Sequence, residues 1–290
     1  MNSEPKSVWN LAAELGEGPV WVERDRALWF VDIKKQQIHR YDPSDGGKRN
    51  WDAPEQVGFI LPAESGGFVA GLQSGLYHFD ERSGEFDLIV EVEPNLPTNR
   101  LNDGVVDPEG RLWFGTMDNG EKAKSGAFYC FAGGKLIRTA IDDIAITNGP
   151  CVSPDGRLLY FVDTLKGTIE SATILGDGLL GERRPFVRID SKDGHPDGPA
   201  IDSEGCVWIS LYAGWQTQRY SPQAELVEQV RFPVANITKI AFGGGDLRDV
   251  FATTARQMLS PDAIAEQPLI GDLFQFRGNV SGVACPPVRL

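Results

Sequence analysis

Four short motifs set a polar side chain directly before a glycine: Glu17-Gly18-Pro19-Val20, Asp103-Gly104-Val105-Val106, Asn148-Gly149-Pro150-Cys151 and Asp197-Gly198-Pro199-Ala200. Carboxylates and amide oxygens gathered in one place repel one another unless a cation or protons neutralise them. Glu17, Asn148 and Asp197 offer hard oxygen ligands of the kind that hold calcium, magnesium, manganese or zinc. Three protein ligands leave coordination positions open for water and substrate, and an open site of that kind is suited to catalysis. Taken singly, each motif is ordinary turn chemistry, with Asp or Asn capping the turn and Gly and Pro fixing the backbone. Recurrence in phase is what favours the site over the turn.

That phase is visible. From each glycine to the aromatic residue of the next apolar run the separations are 11 (Trp29), 9 (Trp113), 11 (Tyr160) and 10 (Trp208). These runs belong to a longer series, Leu28-Trp29-Phe30-Val31, Phe68-Val69-Ala70-Gly71, Leu112-Trp113-Phe114-Gly115, Leu158-Leu159-Tyr160-Phe161, Val207-Trp208-Ile209-Ser210 and Val250-Phe251-Ala252-Thr253, whose starts are 40, 44, 46, 49 and 43 residues apart. Most are followed by a second strand-like run, such as Gln37–Tyr41, Gly75–Phe79, Gly126–Cys130 and Asp272–Phe276. The turns Asp107-Pro108-Glu109-Gly110-Arg111, Ser153-Pro154-Asp155-Gly156-Arg157 and Asp202-Ser203-Glu204-Gly205-Cys206 read as hairpin turns, their glycines supplying positive φ. A period in the forties with several strands per unit is that of a β-propeller, and six units fill the chain. The expected fold is therefore all-β, a six-bladed propeller in one domain over residues 1–290. Equivalent positions entering the innermost strands converge on the axis, so Glu17, Asp103, Asn148 and Asp197 are expected to meet in a central channel that carries the metal site.

Composition narrows the partners. The 290 residues carry a formal charge of −13, which repels phosphate backbones and anionic lipid headgroups and argues against nucleic-acid or membrane-surface binding. The same charge favours solubility and leaves a monomer or a weak homo-oligomer open. The amino-terminal segment Met1–Asn10 has no basic stretch followed by an apolar run, and no stretch approaches the roughly 20 apolar residues that span a bilayer. Cys130, Cys151, Cys206 and Cys285 show no metal-binding spacing and read as reduced and structural, Cys151 as buried rather than reactive. A cytoplasmic protein is expected. With only His39, His78 and His195 and no Gly-x-Ser-x-Gly elbow, a serine-hydrolase triad has no support.

The segments Leu15-Gly16-Glu17-Gly18-Pro19, Asn99-Arg100-Leu101-Asn102-Asp103-Gly104, Gly115-Thr116-Met117, Thr147-Asn148-Gly149-Pro150 and Pro196-Asp197-Gly198, with Phe242-Gly243-Gly244 and Thr253-Thr254-Ala255-Arg256, follow one another in order along the chain. Together they resemble the SMP-30/gluconolactonase (regucalcin-like) family over nearly the whole length. The resemblance implies a six-bladed propeller with one divalent metal ion (Ca²⁺, Zn²⁺, Mn²⁺, Mg²⁺ or Fe²⁺) in the channel, and hydrolysis of sugar lactones. It implies Glu17, Asn148 and Asp197 as metal ligands, with Arg100 and Asn102 reaching the substrate. The family's acidic substrate contact follows Gly-Thr-Met-x-x-Glu; here that spacing falls on Gly120, and Glu121, one residue later, is the candidate. The long Gly-Thr-Met loop is similar to the bacterial xylonolactonase-like branch, which tilts the expectation toward five-carbon aldonolactones over gluconolactone.

Hydrolysis of a cyclic ester needs a polarised carbonyl, an activated water and stabilisation of the tetrahedral oxyanion. A cation held by Glu17, Asn148 and Asp197 serves the carbonyl and the water, Asp197 acts as general base, Arg100 anchors ring hydroxyls, and Asn102 holds hydroxyls or water. His195 is placed to line the mouth or to be simply solvated; Tyr212 and Trp215 are placed to stack on a sugar face or to pack between blades. Two other functions fit the same pattern: a noncatalytic propeller that binds calcium or a partner, and a hydrolase of other esters such as phosphotriesters.

Overall fold

The computed structural model describes residues 3–176 and 178–290; Met1 and Asn2, which open the amino-terminal segment read above, lie outside the described residues. The described strands form six four-stranded antiparallel sheets. Blade 1 runs from the axis outward as Gly16–Val22, Ala27–Asp32, Gln37–Asp42 and Gly47–Asp52, and blade 2 as Val57–Pro62, Phe68–Leu72, Gly75–Asp80 and Glu85–Glu91. Blade 3 comprises Asn99–Val106, Leu112–Asp118, Phe128–Ala132 and Lys135–Arg138, and blade 4 Thr147–Val152, Leu158–Asp163, Thr168–Ile174 and Leu180–Arg188. Blade 5 is built from His195–Ile201, Val207–Tyr212, Gln216–Tyr220 and Leu226–Arg231. Blade 6 takes Ile237–Gly243, Asp249–Thr254 and Leu273–Arg277 from the carboxy-terminal part and its outermost strand, Lys6–Trp9, from the other end of the chain. Adjacent first strands touch in a closed ring from blade 1 round to blade 6, which is the expected six-bladed propeller.

Each apolar run of the repeat forms the second strand of its blade. The first strand of blade 1 and its second are buried throughout, whereas the outermost, Gly47–Asp52, is largely exposed. Burial thus declines from axis to rim. Aromatic pairs bridge neighbouring blades: Trp29 with Phe68 (4.3 Å between ring centres), Phe59 with Phe114 (6.0 Å), Phe128 with Phe161 (5.4 Å), Trp208 with Phe242 (5.9 Å) and Trp21 with Phe251 (6.0 Å). The hairpin turns add polar fasteners. Asp107 Oδ2 accepts from Trp113 Nε1 at 2.8 Å and from Arg111 Nε at 2.6 Å, and Asp202 Oδ2 accepts from Trp208 Nε1 at 2.9 Å and from Arg219 Nε at 2.7 Å. Gly110, Gly156 and Gly205 take φ of 82°, 72° and 77° in these turns, a region that Cβ-bearing residues resist.

All four cysteines are free thiols, and burial pushes Cys151 up to about 12, so it is a structural thiol. Among the described residues no helix is long and apolar enough to cross a membrane.

Candidate functional site

Every first strand carries a register shift midway along its pairing with the second. A bulge of this kind inserts an unpaired residue and re-aims its side chain. Val20, Val105, Cys151, Ala200 and Ala241 pair with Trp29, Trp113, Tyr160, Trp208 and Phe251 respectively, which puts the blades in register with one another. Three residues before each stands the ring Glu17, Asn102, Asn148, Asp197 and Thr238. One residue further along stands a second ring, Gly18, Asp103, Gly149, Gly198 and Lys239. Asp103 was expected beside Glu17, Asn148 and Asp197; the register instead assigns that level to Asn102. Asp103 lies one level deeper, where both its oxygens accept from Lys239 Nζ and Oδ2 accepts from the Gly149 N–H.

Glu17, Arg100, Asn102, Glu121, Asn148 and Asp197 all line one cavity of about 370 Å³. His195, Tyr212, Thr164 and Gln257 line it too, whereas Trp215 does not and is 41% exposed. His39 is packed against Trp9 and Phe30, and His78 bonds the Gly66 carbonyl, so neither reaches this cavity.

The polar groups form a chain. Arg100 Nη1 donates to Asn102 Oδ1, Asn102 Nδ2 donates to Asn148 Oδ1 at 2.9 Å, and Asn148 Nδ2 donates to Thr164 Oγ1 at 2.8 Å. Arg100 Nε also donates to Asn119 Oδ1 (3.1 Å), an oxygen shared with Lys34 Nζ (2.7 Å). Burial lowers the Arg100 guanidinium to about 10, with Glu121, Glu17 and Asp197 opposing the shift, so it stays cationic at neutral pH. Glu121 reaches the cavity because its φ of 58° turns the chain there, in a loop held by the Asp118 carboxylate, which accepts the Lys122 and Ala123 N–H groups at 3.1 Å each. Gln257 Nε2 then donates to Glu121 Oε1 at 3.0 Å, and Tyr212 OH donates to the Gln257 carbonyl.

The two carboxylates at the bottom are electrostatically burdened. Burial, then the Asp103 charge, pushes Glu17 up to about 7; burial, then Glu17 and Asp103, holds Asp197 well above the usual carboxylate range. Glu17 Oε2 accepts the Gly18 N–H at 2.9 Å and Asp197 accepts from the Gly198 N–H. Among the described residues no three His, Cys, Asp or Glu side chains form a metal cluster. The donor set is two carboxylates and one amide oxygen. Two buried carboxylates sharing one cavity with an oriented amide oxygen fit a hard divalent cation, whose charge would offset both the burial and the repulsion that raise their pKa values.

Thr164, Gln257 and Asn119 were not anticipated. They hold Asn148, Glu121 and Arg100 respectively, and nothing in their own spacing marks them.

Residues 15–256 match the family described as SMP-30/Gluconolactonase/LRE-like region. The chain is 34% identical over 289 residues to a 6-deoxy-6-sulfogluconolactonase from Pseudomonas putida, covering 99% of both chains. It is 37% identical over 274 residues to an L-arabinolactonase from Azospirillum brasilense, covering 93% of this chain and 90% of that one. Among solved structures it resembles a calcium-binding protein, regucalcin, from Agrobacterium tumefaciens, with a TM-score of 0.95 and 29% identity over 100% of this chain and 98% of the other. With the propeller and the channel residues already in place, these likenesses identify the chain as a member of the SMP-30/gluconolactonase/LRE-like family.

Proposed function

We propose that this protein is a metal-dependent sugar lactonase that opens the cyclic ester of an aldonolactone to the sugar acid. The observation that carries the reading is the pair of buried carboxylates, Glu17 and Asp197, sharing one cavity with the oriented amide of Asn148. Full-length relatives named as lactonases support the reaction class.

In this reading Glu17, Asn148 and Asp197 hold one divalent cation. When bound, it supplies Lewis acidity, polarising the lactone carbonyl and lowering the pKa of water. Asp197, its carboxylate beside the cation, accepts the proton of the attacking water. Arg100 has Nε and Nη1 committed to protein partners and offers its Nη2 hydrogens to ring hydroxyls. Asn102 orients hydroxyls or water above Asn148, and Glu121, steadied by Gln257, accepts hydroxyl hydrogens at the mouth. A five-carbon aldonolactone remains the first substrate to try. We read residues 1–290 as one domain. A cytoplasmic setting belongs to the same proposal and is supported by the four free thiols.

The test is proton release from a panel of pentono- and hexonolactones added to EDTA-treated protein, with Ca²⁺, Mg²⁺, Mn²⁺, Zn²⁺ or Fe²⁺ restored singly. Metal-dependent acid release well above spontaneous hydrolysis is expected for at least one pairing. Folded, metal-loaded protein inert to every lactone would sink the enzymatic reading in favour of a binding propeller.

A further inference from the structure

Lys239 and Asp103 belong to blades 6 and 3, which stand opposite each other across the channel, and the side chain of Lys239 crosses the axis to close the gap. Its ammonium lies 2.6 and 2.7 Å from the two Asp103 oxygens, and both residues are buried. The crossing depends on Gly198: a Cβ there would lie 2.6 to 2.8 Å from Cβ, Cγ and Cδ of Lys239. The pair also marks a boundary. The cavity above it contains the candidate site, a second cavity of about 430 Å³ lies below it with Lys239 in its wall, and no residue lines both.

The two ends of this bridge are attached to the residues that follow two of the candidate ligands. Asp103 Oδ2 accepts the Gly149 N–H at 3.0 Å, one residue past Asn148, and the Lys239 stem lies against Gly198, one residue past Asp197. Bulged backbone lacks the ladder hydrogen bonds that fix an ordinary strand, so an acceptor supplied from a neighbouring blade determines how the bulge sits.

We propose that Asp103 is a positioning residue, clamped on the axis by Lys239, that fixes the bulge of blade 4 through the Gly149 N–H and thereby sets Asn148 for cation binding; the cation part rests on the function proposed above. Lys239 makes the deep carboxylate tolerable, as a third anion beneath Glu17 and Asp197 would otherwise be uncompensated. Neither residue touches substrate.

The test compares D103N/K239M with D103L/K239M. Both remove both charges, so neither leaves a buried ion unpaired, and they differ in whether position 103 still offers an acceptor to Gly149. Two readouts are taken: amide hydrogen exchange at Gly149 in cation-free protein, followed by NMR, and the affinity for Mn²⁺ by calorimetry. We expect D103N/K239M to keep exchange and affinity within about threefold of the unsubstituted chain. D103L/K239M should exchange Gly149 at least about tenfold faster and bind Mn²⁺ at least about tenfold more weakly. Equal behaviour of the two variants overturns the assignment. So does folding of D103N/K239M when both D103L/K239M and D103A/K239M fail to fold, because the acceptor then serves the fold as a whole. If the unsubstituted chain binds no divalent cation, the metal reading fails, while the exchange comparison still decides whether Asp103 sets the bulge.

Discussion

The side-chain amide of Asn102 donates to Asn148 Oδ1 at 2.9 Å, and the amide of Asn148 donates in turn to Thr164 Oγ1 at 2.8 Å. Asn148 is therefore gripped at both ends, and the two grips fix which end of its amide is the oxygen. A donor atom that needs no reorientation on binding loses less entropy than a free one. Asn102 thus serves the proposed cation site even though it is not itself one of the three ligands.

Asn102→Ala removes one grip and leaves Asn148 Oδ1 without its donor. One buried hydrogen bond is worth about 1 kcal/mol, so the affinity for a divalent cation should fall about fivefold to tenfold. Thr164→Val, which frees the other end, should weaken binding by a smaller factor. Calorimetric titration of EDTA-treated protein measures both, and unchanged affinity in Asn102→Ala would show that Asn148 is held by other means.

Asp197 and Arg100 should separate in kinetics. Asp197→Asn keeps the shape and removes the charge and the basic site, so cation binding and turnover should both be lost, with kcat down by about a thousandfold or more. Arg100→Ala should mainly raise KM, by about tenfold, with kcat changed far less, since hydroxyl anchoring stabilises ground and transition states alike. Substantial turnover in metal-supplemented Asp197→Asn would remove Asp197 from the mechanism.

The acidity of the site predicts a pH dependence with a definite sign. Glu17 titrates near 7 in the cation-free protein and Asp197 is also raised, while only the deprotonated carboxylates bind a cation. Below pH 7 the apparent affinity should therefore fall by about tenfold per unit for each proton displaced, and it should gain less from each further unit above that. Stability of the cation-free protein runs the other way. Because the folded state holds the Glu17 proton up to about 7 and the unfolded chain releases it near the ordinary 4.5, folding loses stability as pH rises through that window. Melting temperatures recorded from pH 5 to 8, with and without Mn²⁺, should diverge as pH rises. Parallel curves would contradict a cation held by these carboxylates.

Much of the propeller is legible in the sequence because its second and third strands are apolar runs set in a period of forty to fifty residues, and those runs fall on the observed strands. The outermost strands are not legible. Gly47–Asp52 and Leu180–Arg188 face solvent and carry charged residues that give no strand signal, since their pairing is dictated by the neighbour inside. The closure by Lys6–Trp9 is invisible for another reason: its partner Leu273–Arg277 is more than 260 residues away, and no local pattern encodes that pairing. The misplacement of Asp103 has a trace in the spacing, 9 residues from its glycine to Trp113 against 10 or 11 in the other three motifs. That shorter interval means that Asn102, and not Asp103, has the phase of Glu17, a distinction that only strand register makes explicit.

The turn acids that fasten the second strands give the sharpest stability contrast. Asp107 is fully buried and accepts four hydrogen bonds, from Trp113 Nε1 (2.8 Å), Arg111 Nε (2.6 Å) and the backbone N–H groups of Glu109 and Arg111 (3.0 Å each). Asp107→Ala leaves a buried indole N–H and a buried guanidinium without their acceptor, which should cost about 3–5 kcal/mol. Asp155 occupies the corresponding turn of blade 4 but is exposed, and its contacts are to Ser153 Oγ, the Arg157 N–H and the Arg157 guanidinium. Asp155→Ala should stay within about 1 kcal/mol. Denaturant unfolding of the two variants against the unsubstituted chain measures the difference. Equal losses would mean that the turn's own geometry, and not the buried fastener on the tryptophan, is what the acid contributes.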